Sequence, residues 1–323
     1  MGKNKNRNAV PGEEHLLLPA HPNAAIPIVD THTHLLSTFS FYKSKYPDGK
    51  HKDVFEFLRA MYAGRNVKAI VDVWCEAPVQ TAWKDLADSA LTAQNREEKW
   101  GGIDYWFVMG ALNFKSHEAK LYNDDVETSI LEAMAHPRCV GWGEIGLDYH
   151  YDNSPREIQQ AVFTRQLQQA VKLGKPLTIH TREAEEDTER ILKEVVPANH
   201  KIHIHCFTDS PEFAQKLLDY YPNLHIGVTG VVSYSTNLNT AAIIKQMAAT
   251  PEGLRILLET DAPYMVPSNL YETLKVVKGR LPLCHTAMIP WVADFAANVI
   301  GEGWDTEKIM LRANESARTV YGI

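Results

Sequence analysis

The sequence has few cysteines and no long apolar run. Its four cysteines form no Cys-x-x-Cys pair, and three follow strand-like segments, so we predict reduced, mostly buried thiols. No apolar run approaches the roughly 20 residues that a membrane-spanning helix needs. The polar residues 1–15 lack the apolar core of a signal peptide. These absences predict a chain located in the cytoplasm, or alternatively in the nucleus, without a membrane segment.

An excess of positive charge is also missing. The formal net charge is -7 and the sequence pI is about 6.1, so no broad basic surface for nucleic acid is indicated. A metal site could still hold a phosphate on an acidic protein, because the ions bring the positive charge themselves. The sequence contains no Gly-x-Gly-x-x-Gly motif, which disfavours a dinucleotide-binding sheet.

Short apolar runs do occur, and they alternate with helical periodicity eight times between residues 26 and 259. Eight βα units are typical of a TIM-type (β/α)8 barrel of the α/β class, and the clean repeats argue against an open doubly wound sheet. We therefore predict a single-domain barrel over residues 25–323, preceded by a flexible tail over residues 1–24. Residues 35–52 are predicted to be a long aromatic loop, and residues 81–97 one helix.

Ligand-type side chains stand where these apolar runs end. In such a barrel the carboxyl ends of the strands carry the active site. Four imidazoles and two carboxylates fit two divalent ions, with Glu144 able to bridge them. Asp261 could accept a proton from an activated water. The candidate ligands are His32, His34, Glu144, His180, His205 and Asp261.

Two further side chains near these ends have alternative interpretations. Arg182 could clamp a phosphate with its bidentate guanidinium, or pair with Glu183 or Glu185. His150 could contact substrate or could simply be exposed. Both are candidate substrate-binding residues.

Three other polar residues could support the ligands. Asp148 could cap the loop after the fourth strand or orient a ligand histidine, and we favour the orienting role. His203 lies two residues before His205, and packing inside the barrel is favoured over a ligand role. Glu259 could support a ligand or belong to a buried ion pair.

Five ordered motifs carry a family resemblance. They are the His-x-His of residues 32–34, Gly-Glu-Ile-Gly-Leu-Asp-Tyr, Ile-His-Thr-Arg, His-Cys-Phe-Thr and Glu-Thr-Asp-Ala-Pro-Tyr. Over about residues 26–323 the sequence resembles the TatD-type metal-dependent deoxyribonucleases, within the amidohydrolase-like metallohydrolases. The resemblance implies a TIM-like barrel that hydrolyses phosphodiester bonds in DNA with two divalent ions (Zn²⁺, Mg²⁺ or Mn²⁺).

The resemblance also implies how the ligands divide. His32 and His34 would hold one ion with Asp261, His180 and His205 would hold the other, and Glu144 would bridge them. Asp261 and Glu144 are the expected catalytic residues.

The sequence departs from the family pattern at two loops. Residues 208–210 read Thr-Asp-Ser where a glycine-containing turn is usual, and residues 281–286 read Leu-Pro-Leu-Cys-His-Thr where an Asn-x-Pro element is usual. These departures bear on substrate preference. Two alternatives therefore stay open: an amidohydrolase or lactonase acting on a small molecule, and a barrel that acts mainly as an interaction partner.

Overall fold

The computed structural model describes residues 10–22, 25–112, 118–249, 253–275 and 277–323. Within these ranges eight parallel strands pair in chain order, β1 to β8. Each strand is buried along most of its length, as expected for parallel strands covered on both faces. The strands are β1 (Ile28–Thr33), β2 (Val67–Trp74), β3 (Asp104–Met109), β4 (Cys139–Asp148), β5 (Leu177–Arg182), β6 (Ile202–Ile204), β7 (Leu224–Val228) and β8 (Ile256–Leu258).

Helices follow the strands and cover the outside of the barrel. Several begin with a side chain that accepts a backbone N–H, such as Asp53 and Asp305, and α6 ends at Gly174 in the left-handed conformation. The helices are α1 (Leu35–Lys45), α2 (Val54–Tyr62), α3 (Ala82–Asp88), α4 (Ala93–Trp100), α5 (Asp124–Met134), α6 (Arg156–Leu173), α7 (Glu185–Val195), α8 (Pro211–Tyr220), α9 (Asn239–Met247), α10 (Leu270–Thr273), α11 (Ile289–Ile300) and α12 (Thr306–Tyr321).

The sheet closes where β8 meets β1. The Asp261 backbone N–H donates to the His32 carbonyl at 2.9 Å, and the His34 N–H donates to the Ala262 carbonyl at 3.0 Å. These bonds bring two strand ends together that are far apart in sequence, and they confirm the predicted barrel. Whether residues 25–323 behave as one domain stays a prediction, which limited proteolysis would test.

A second apolar cluster fills part of the barrel and reaches the C-terminal helix. It joins residues of β1, β2, β3 and β8 to Ala317, Val320 and Tyr321 of α12. The end of α12 therefore packs against residues of the barrel strands. All four cysteines are free, three buried and Cys206 half-buried, as predicted.

Residues 10–22, part of the predicted flexible tail, contact the barrel in the structure. Leu16 and Leu18 are 0% and 1% exposed, and Tyr42 donates its hydroxyl to Glu13. The His285 ring nitrogen lies 3.1 Å from the Leu16 carbonyl. These contacts fix the segment against the barrel, because its two leucines supply apolar surface to the core. Residues 1–9 and 23–24 lie outside the described residues.

Two other predicted segments differ from the structure. Most of the predicted loop over residues 35–52 is the helix α1, whose buried positions include Leu35, Thr38 and Tyr42. The single helix predicted over residues 81–97 is broken into α3 and α4, because Thr92 caps a new helix by accepting the Asn95 N–H. No helix in the described part of the chain is both long and apolar enough to cross a membrane.

Candidate metal centre

Glu144 stands at the middle of the barrel mouth, between two pairs of histidines. Its Oε2 lies 3.5 Å from His32 Nε2 and 4.0 Å from His34 Nε2, while its Oε1 lies 3.2 Å from His180 Nδ1 and 3.8 Å from His205 Nε2. One carboxylate oxygen therefore faces each pair. This arrangement suits a carboxylate shared by two ions.

Glycines on β4 allow Glu144 to occupy this position. A Cβ on Gly143 would lie 2.5 Å from the Thr178 carbonyl oxygen, and one on Gly146 would lie 1.8 Å from the His180 carbonyl oxygen. Gly146 also has φ +153°, which side chains rarely adopt. The Gly-Glu-Ile-Gly sequence thus packs β4 closely against the strand that carries His180.

Asp261 completes the first histidine pair. Its Oδ1 lies 3.4 Å from His34 Nε2 and 3.8 Å from His32 Nε2. Asp261 has φ +49°, so the chain turns sharply after β8 and directs the carboxylate to the mouth. The donor atoms of His32, His34 and Asp261 all lie within 4.8 Å of one another, as they would around one ion.

Two further donor groups share these residues. His32, Glu144 and His205 form one, and His205, Cys206 and Asp261 form the other. The rings of His32 and His205 stack with centroids 3.5 Å apart. His180 is outside the three groups and contacts Glu144 and Asp148 instead.

Several of these atoms are buried without a partner. Both ring nitrogens of His32 and both carboxylate oxygens of Glu144 have no hydrogen-bond partner among the described residues. Buried polar atoms are normally paired, because leaving one unpaired costs about 1–3 kcal/mol. Nitrogen and carboxylate donors that converge in this way fit divalent ions, which would satisfy all four atoms.

The charges around the centre also suit metal binding. Burial and the nearby His205 lower the pKa of His32 to about 4, so its imidazole is neutral and can coordinate an ion. Burial also opposes charge on His205, but the carboxylates of Glu259 and Glu144 raise its pKa to about 10. Burial opposes ionisation of Glu144, yet His205, His180 and His32 hold its pKa well below the usual range. An incoming cation would therefore displace protons from the imidazoles.

Asp148 has contacts that fit both of its predicted roles. Its Oδ2 lies 3.2 Å from His180 Nε2, the ring nitrogen on the side away from Glu144. Its Oδ1 accepts the backbone N–H groups of His150 and Tyr151 at 3.0 and 2.8 Å. The carboxylate thus connects the His180 ring to the loop after β4.

The two candidate substrate-binding residues lie at the rim. The Arg182 guanidinium stacks 5.0 Å above the Tyr151 ring. His150 Nδ1 lies 2.7 Å from Glu183 Oε1, and Glu185 accepts the Ser210 N–H and hydroxyl. The two glutamates that could have paired with Arg182 therefore contact His150 and Ser210.

Some residues near the centre were not among the candidates chosen from the sequence. Cys206 belongs to a donor group and directly follows His205, which was the available signal. Asp72 is 2% exposed and accepts the Leu35 N–H at 2.9 Å and the Tyr105 hydroxyl at 3.0 Å. A lone acid inside the apolar Ile-Val-Asp-Val run of β2 was its signal.

A groove opens beside His34. It has a volume of about 420 Å³ and runs between α1, the segment after β2 and the turn after β8. Its walls include Ser40 and Phe41 of α1, Glu76, and the exposed Tyr264. The groove is therefore a polar and aromatic surface that extends from the candidate metal centre.

A parallel barrel with imidazoles and carboxylates at its mouth is the arrangement expected of a metal-dependent hydrolase. Residues 29–322 match the family model described as TatD related DNase. The chain belongs to this family, which confirms the resemblance of its five motifs.

Individual relatives give the same assignment. The chain is 35% identical over 252 residues to the protein named 3'-5' RNA nuclease TATDN2 of Homo sapiens, covering 76% of this chain and 30% of that protein. It is 30% identical over 208 residues to the 3'-5' ssDNA/RNA exonuclease TatD of Klebsiella pneumoniae, covering 64% of this chain and 74% of that protein.

The fold is also that of a solved relative. The crystal structure of a TatD family hydrolase from Entamoeba histolytica superposes with a TM-score of 0.70 at 18% identity, covering 92% of this chain and 98% of that one. The chain therefore shares the fold of this hydrolase, although it spans less than a third of the human relative's length.

Proposed function

We propose that this chain is a nuclease that hydrolyses phosphodiester bonds in DNA with two divalent ions. The observation that carries the proposal is Glu144, a fully buried carboxylate whose two unpaired oxygens each face a different pair of imidazoles. A single ion would leave one of these oxygens without a partner. The names of the human and Klebsiella relatives support nucleic acid as the substrate.

The ligands divide around Glu144. His32, His34 and Asp261 would hold one ion, and His180 and His205 would hold the other. When bound, the two ions would lower the pKa of a water toward about 7 and withdraw charge from the phosphoryl oxygens. Zn²⁺, Mg²⁺ and Mn²⁺ are the candidates.

Asp261 is the proposed proton acceptor. Its Oδ1 faces His34, and its side chain is 13% exposed, whereas Glu144 is fully buried. Asp261 can therefore reach a water at the open side of the centre, while Glu144 holds the two halves together. Asp148 would keep the His180 ring in place through its 3.2 Å contact.

The groove beside His34 is the proposed path of the strand. No Lys or Arg occurs among its described lining residues, so it would receive bases and sugars while the phosphate lies at the ions. Tyr264 and Phe41 offer ring faces, and stacking contributes about 1–3 kcal/mol per base without strong sequence preference. Arg182 and His150, on the opposite rim, are the proposed contacts to the neighbouring phosphate.

The test uses metal-stripped protein and end-labelled single-stranded DNA and RNA. Mg²⁺, Mn²⁺ and Zn²⁺ are added one at a time, and an aryl ester and a lactone are assayed in parallel. We expect metal-restored cleavage of the DNA that a chelator abolishes. Cleavage of RNA without cleavage of DNA would identify RNA as the substrate instead. Turnover of the aryl ester or the lactone alone would contradict the nuclease proposal and favour a hydrolase of small molecules.

A further inference from the structure

A buried line of polar side chains runs from the C-terminal helix to His205. The Tyr321 hydroxyl of α12 lies 2.7 Å from Thr178 Oγ1 and 2.8 Å from His203 Nδ1. His203 Nε2 lies 2.9 Å from Glu259 Oε2, and Glu259 Oε1 lies 3.3 Å from His205 Nδ1. His203 and Glu259 are both 0% exposed, so this line is closed to bulk solvent.

One set of proton positions suits every contact along this line. A carboxylate accepts and does not donate, so Glu259 suits a proton on His203 Nε2 and another on His205 Nδ1. His203 Nδ1 then accepts the Tyr321 hydroxyl. His205 Nε2, which lies 3.8 Å from Glu144 and faces the metal centre, is the atom left for an ion.

The strand next to this line leaves space for it. A Cβ on Gly227 of β7 would lie 2.5 Å from Glu259 Oε1 and 2.5 Å from His203 Nε2. Gly227 does not have a positive φ, so its backbone conformation does not require glycine. The glycine is needed because the His203–Glu259 pair occupies the volume of a side chain. The backbone N–H of Cys206 also donates to Glu259 Oε1 at 2.5 Å, which fixes the carboxylate.

We propose that Tyr321 is a positioning residue for the metal centre: through His203 and Glu259 it holds His205 in the tautomer that binds a divalent ion at Nε2. The outer partners of metal-bound histidines act in this way, and their loss typically weakens metal affinity about 10–100-fold. Here the outermost partner belongs to the last helix, at the far end of the line from the mouth. The inference rests on the proposed ligand role of His205.

The first test replaces Tyr321 by Phe, which removes one oxygen and keeps the ring. Mn²⁺ binding to the metal-stripped protein is measured by calorimetry. We expect one of the two ions to bind about tenfold more weakly and the other to bind as in the unchanged protein. Tyr221→Phe is the matched control, because Tyr221 is also fully buried and its hydroxyl lies 3.5 Å from the Val196 carbonyl, away from the candidate ligands.

Two further variants at His203 distinguish the loss of its hydrogen-bonding atoms from the loss of its ring. His203→Gln retains an amide that can donate to Glu259 and an oxygen that can accept from Tyr321, whereas His203→Leu offers neither. We expect His203→Gln to preserve most of the metal affinity and His203→Leu to lose it, with both folded by circular dichroism. Equal affinity in the Tyr321→Phe, His203→Leu and unchanged proteins would overturn the inference.

A readout other than activity distinguishes failure of this inference from failure of the proposed function. Nitrogen NMR of the histidine rings in the Zn²⁺-loaded protein reports which His205 nitrogen binds the ion and which carries the proton. We expect the ion at Nε2 and Nδ1–H in the unchanged protein, and a loss of that preference in Tyr321→Phe. The same His205 spectrum in both proteins would refute the role of Tyr321, whereas absent nuclease activity alone would refute only the proposed substrate.

Discussion

Two fully buried carboxylates in this barrel have opposite surroundings. Asp30, at the seam between β1 and β8, accepts hydrogen bonds from the Thr260 N–H and hydroxyl and from the Thr286 hydroxyl, at 3.0, 2.6 and 2.7 Å. Glu144, at the mouth, has no hydrogen-bond partner among the described residues and faces imidazoles.

The comparison shows how a structural acid differs from the proposed ligand Glu144. Both side chains are 0% exposed, so burial alone does not distinguish them. Asp30 is satisfied by neutral donors, and burial raises its pKa to about 7 despite them. Glu144 is surrounded by imidazoles, which can carry a positive charge. These imidazoles keep the pKa of its carboxyl low, so the carboxylate stays ionised. A buried acid that lacks donors but faces several imidazoles therefore indicates a site for ions.

The largest effect is expected from Glu144→Gln. The amide lacks the negative charge that both ions would share, so we expect activity to fall by at least about 10⁴-fold. This loss equals or exceeds the largest rate loss that is typical when only a proton acceptor is removed. The metal-free variant should melt below the unchanged protein, because the amide no longer offsets positive charge on the imidazoles around it. Elemental analysis and calorimetry check this. Retention of both ions with normal turnover would show that Glu144 does not bridge them.

The next effect is expected from Asp261→Asn. The amide keeps the size and one oxygen donor but removes the charge and the proton acceptor, so turnover should fall by about 10²–10⁴-fold. Metal content at saturating ion and the melting temperature should stay near normal, since His32 and His34 still coordinate. Single-turnover cleavage of a labelled oligonucleotide measures the change. Turnover within a few-fold of the unchanged protein would remove Asp261 as the base.

Asp30→Leu tests the other side of the comparison. The leucine leaves the buried N–H of Thr260 and two threonine hydroxyls without their acceptor, so we expect a loss of about 2–5 kcal/mol in the free energy of unfolding. Urea unfolding of metal-free protein measures it. The folded fraction should bind ions with unchanged stoichiometry; loss of one ion would place Asp30 among the residues that support the centre.

The smallest effect concerns His285, whose ring contacts the Leu16 carbonyl and not the candidate ligands. Burial lowers the pKa of His285 to about 4, while the unfolded chain titrates near 6.5. The unfolded state therefore binds more protons between these values, and the stability that His285 contributes is present above pH 6.5 and is lost as the pH falls toward 4.

The free energy of unfolding that the protein loses between pH 7 and pH 4 should be smaller by about 1–3 kcal/mol in His285→Asn. Melting temperatures between pH 4 and 7 are compared with those of His150→Asn, whose parent histidine is 42% exposed. An identical pH dependence in the His285→Asn and unchanged proteins would contradict the burial argument.

The candidate ligands could be chosen from the sequence because each stands in or directly after a strand-like run. His32, Glu144 and Asp261 are conspicuous there, and strand order then brings them together. The helix α1 was missed because residues 10–22 pack against it, so its aromatic residues do not form a single apolar stripe. The contact between Tyr321 and His203 joins positions 118 apart, and no local pattern indicates it.

The closing of the barrel between β8 and β1 has a consequence for how the protein is made. His32 and His34 leave the ribosome early, whereas Asp261 follows only after seven more strands have been synthesised. An early ion would meet an incomplete set of ligands and could be held only weakly. The bonds that close the sheet, Asp261 N–H to His32 and His34 N–H to Ala262, are also those that complete this set. With the proposed ligands, tight loading with metal would therefore require that the nascent barrel has closed.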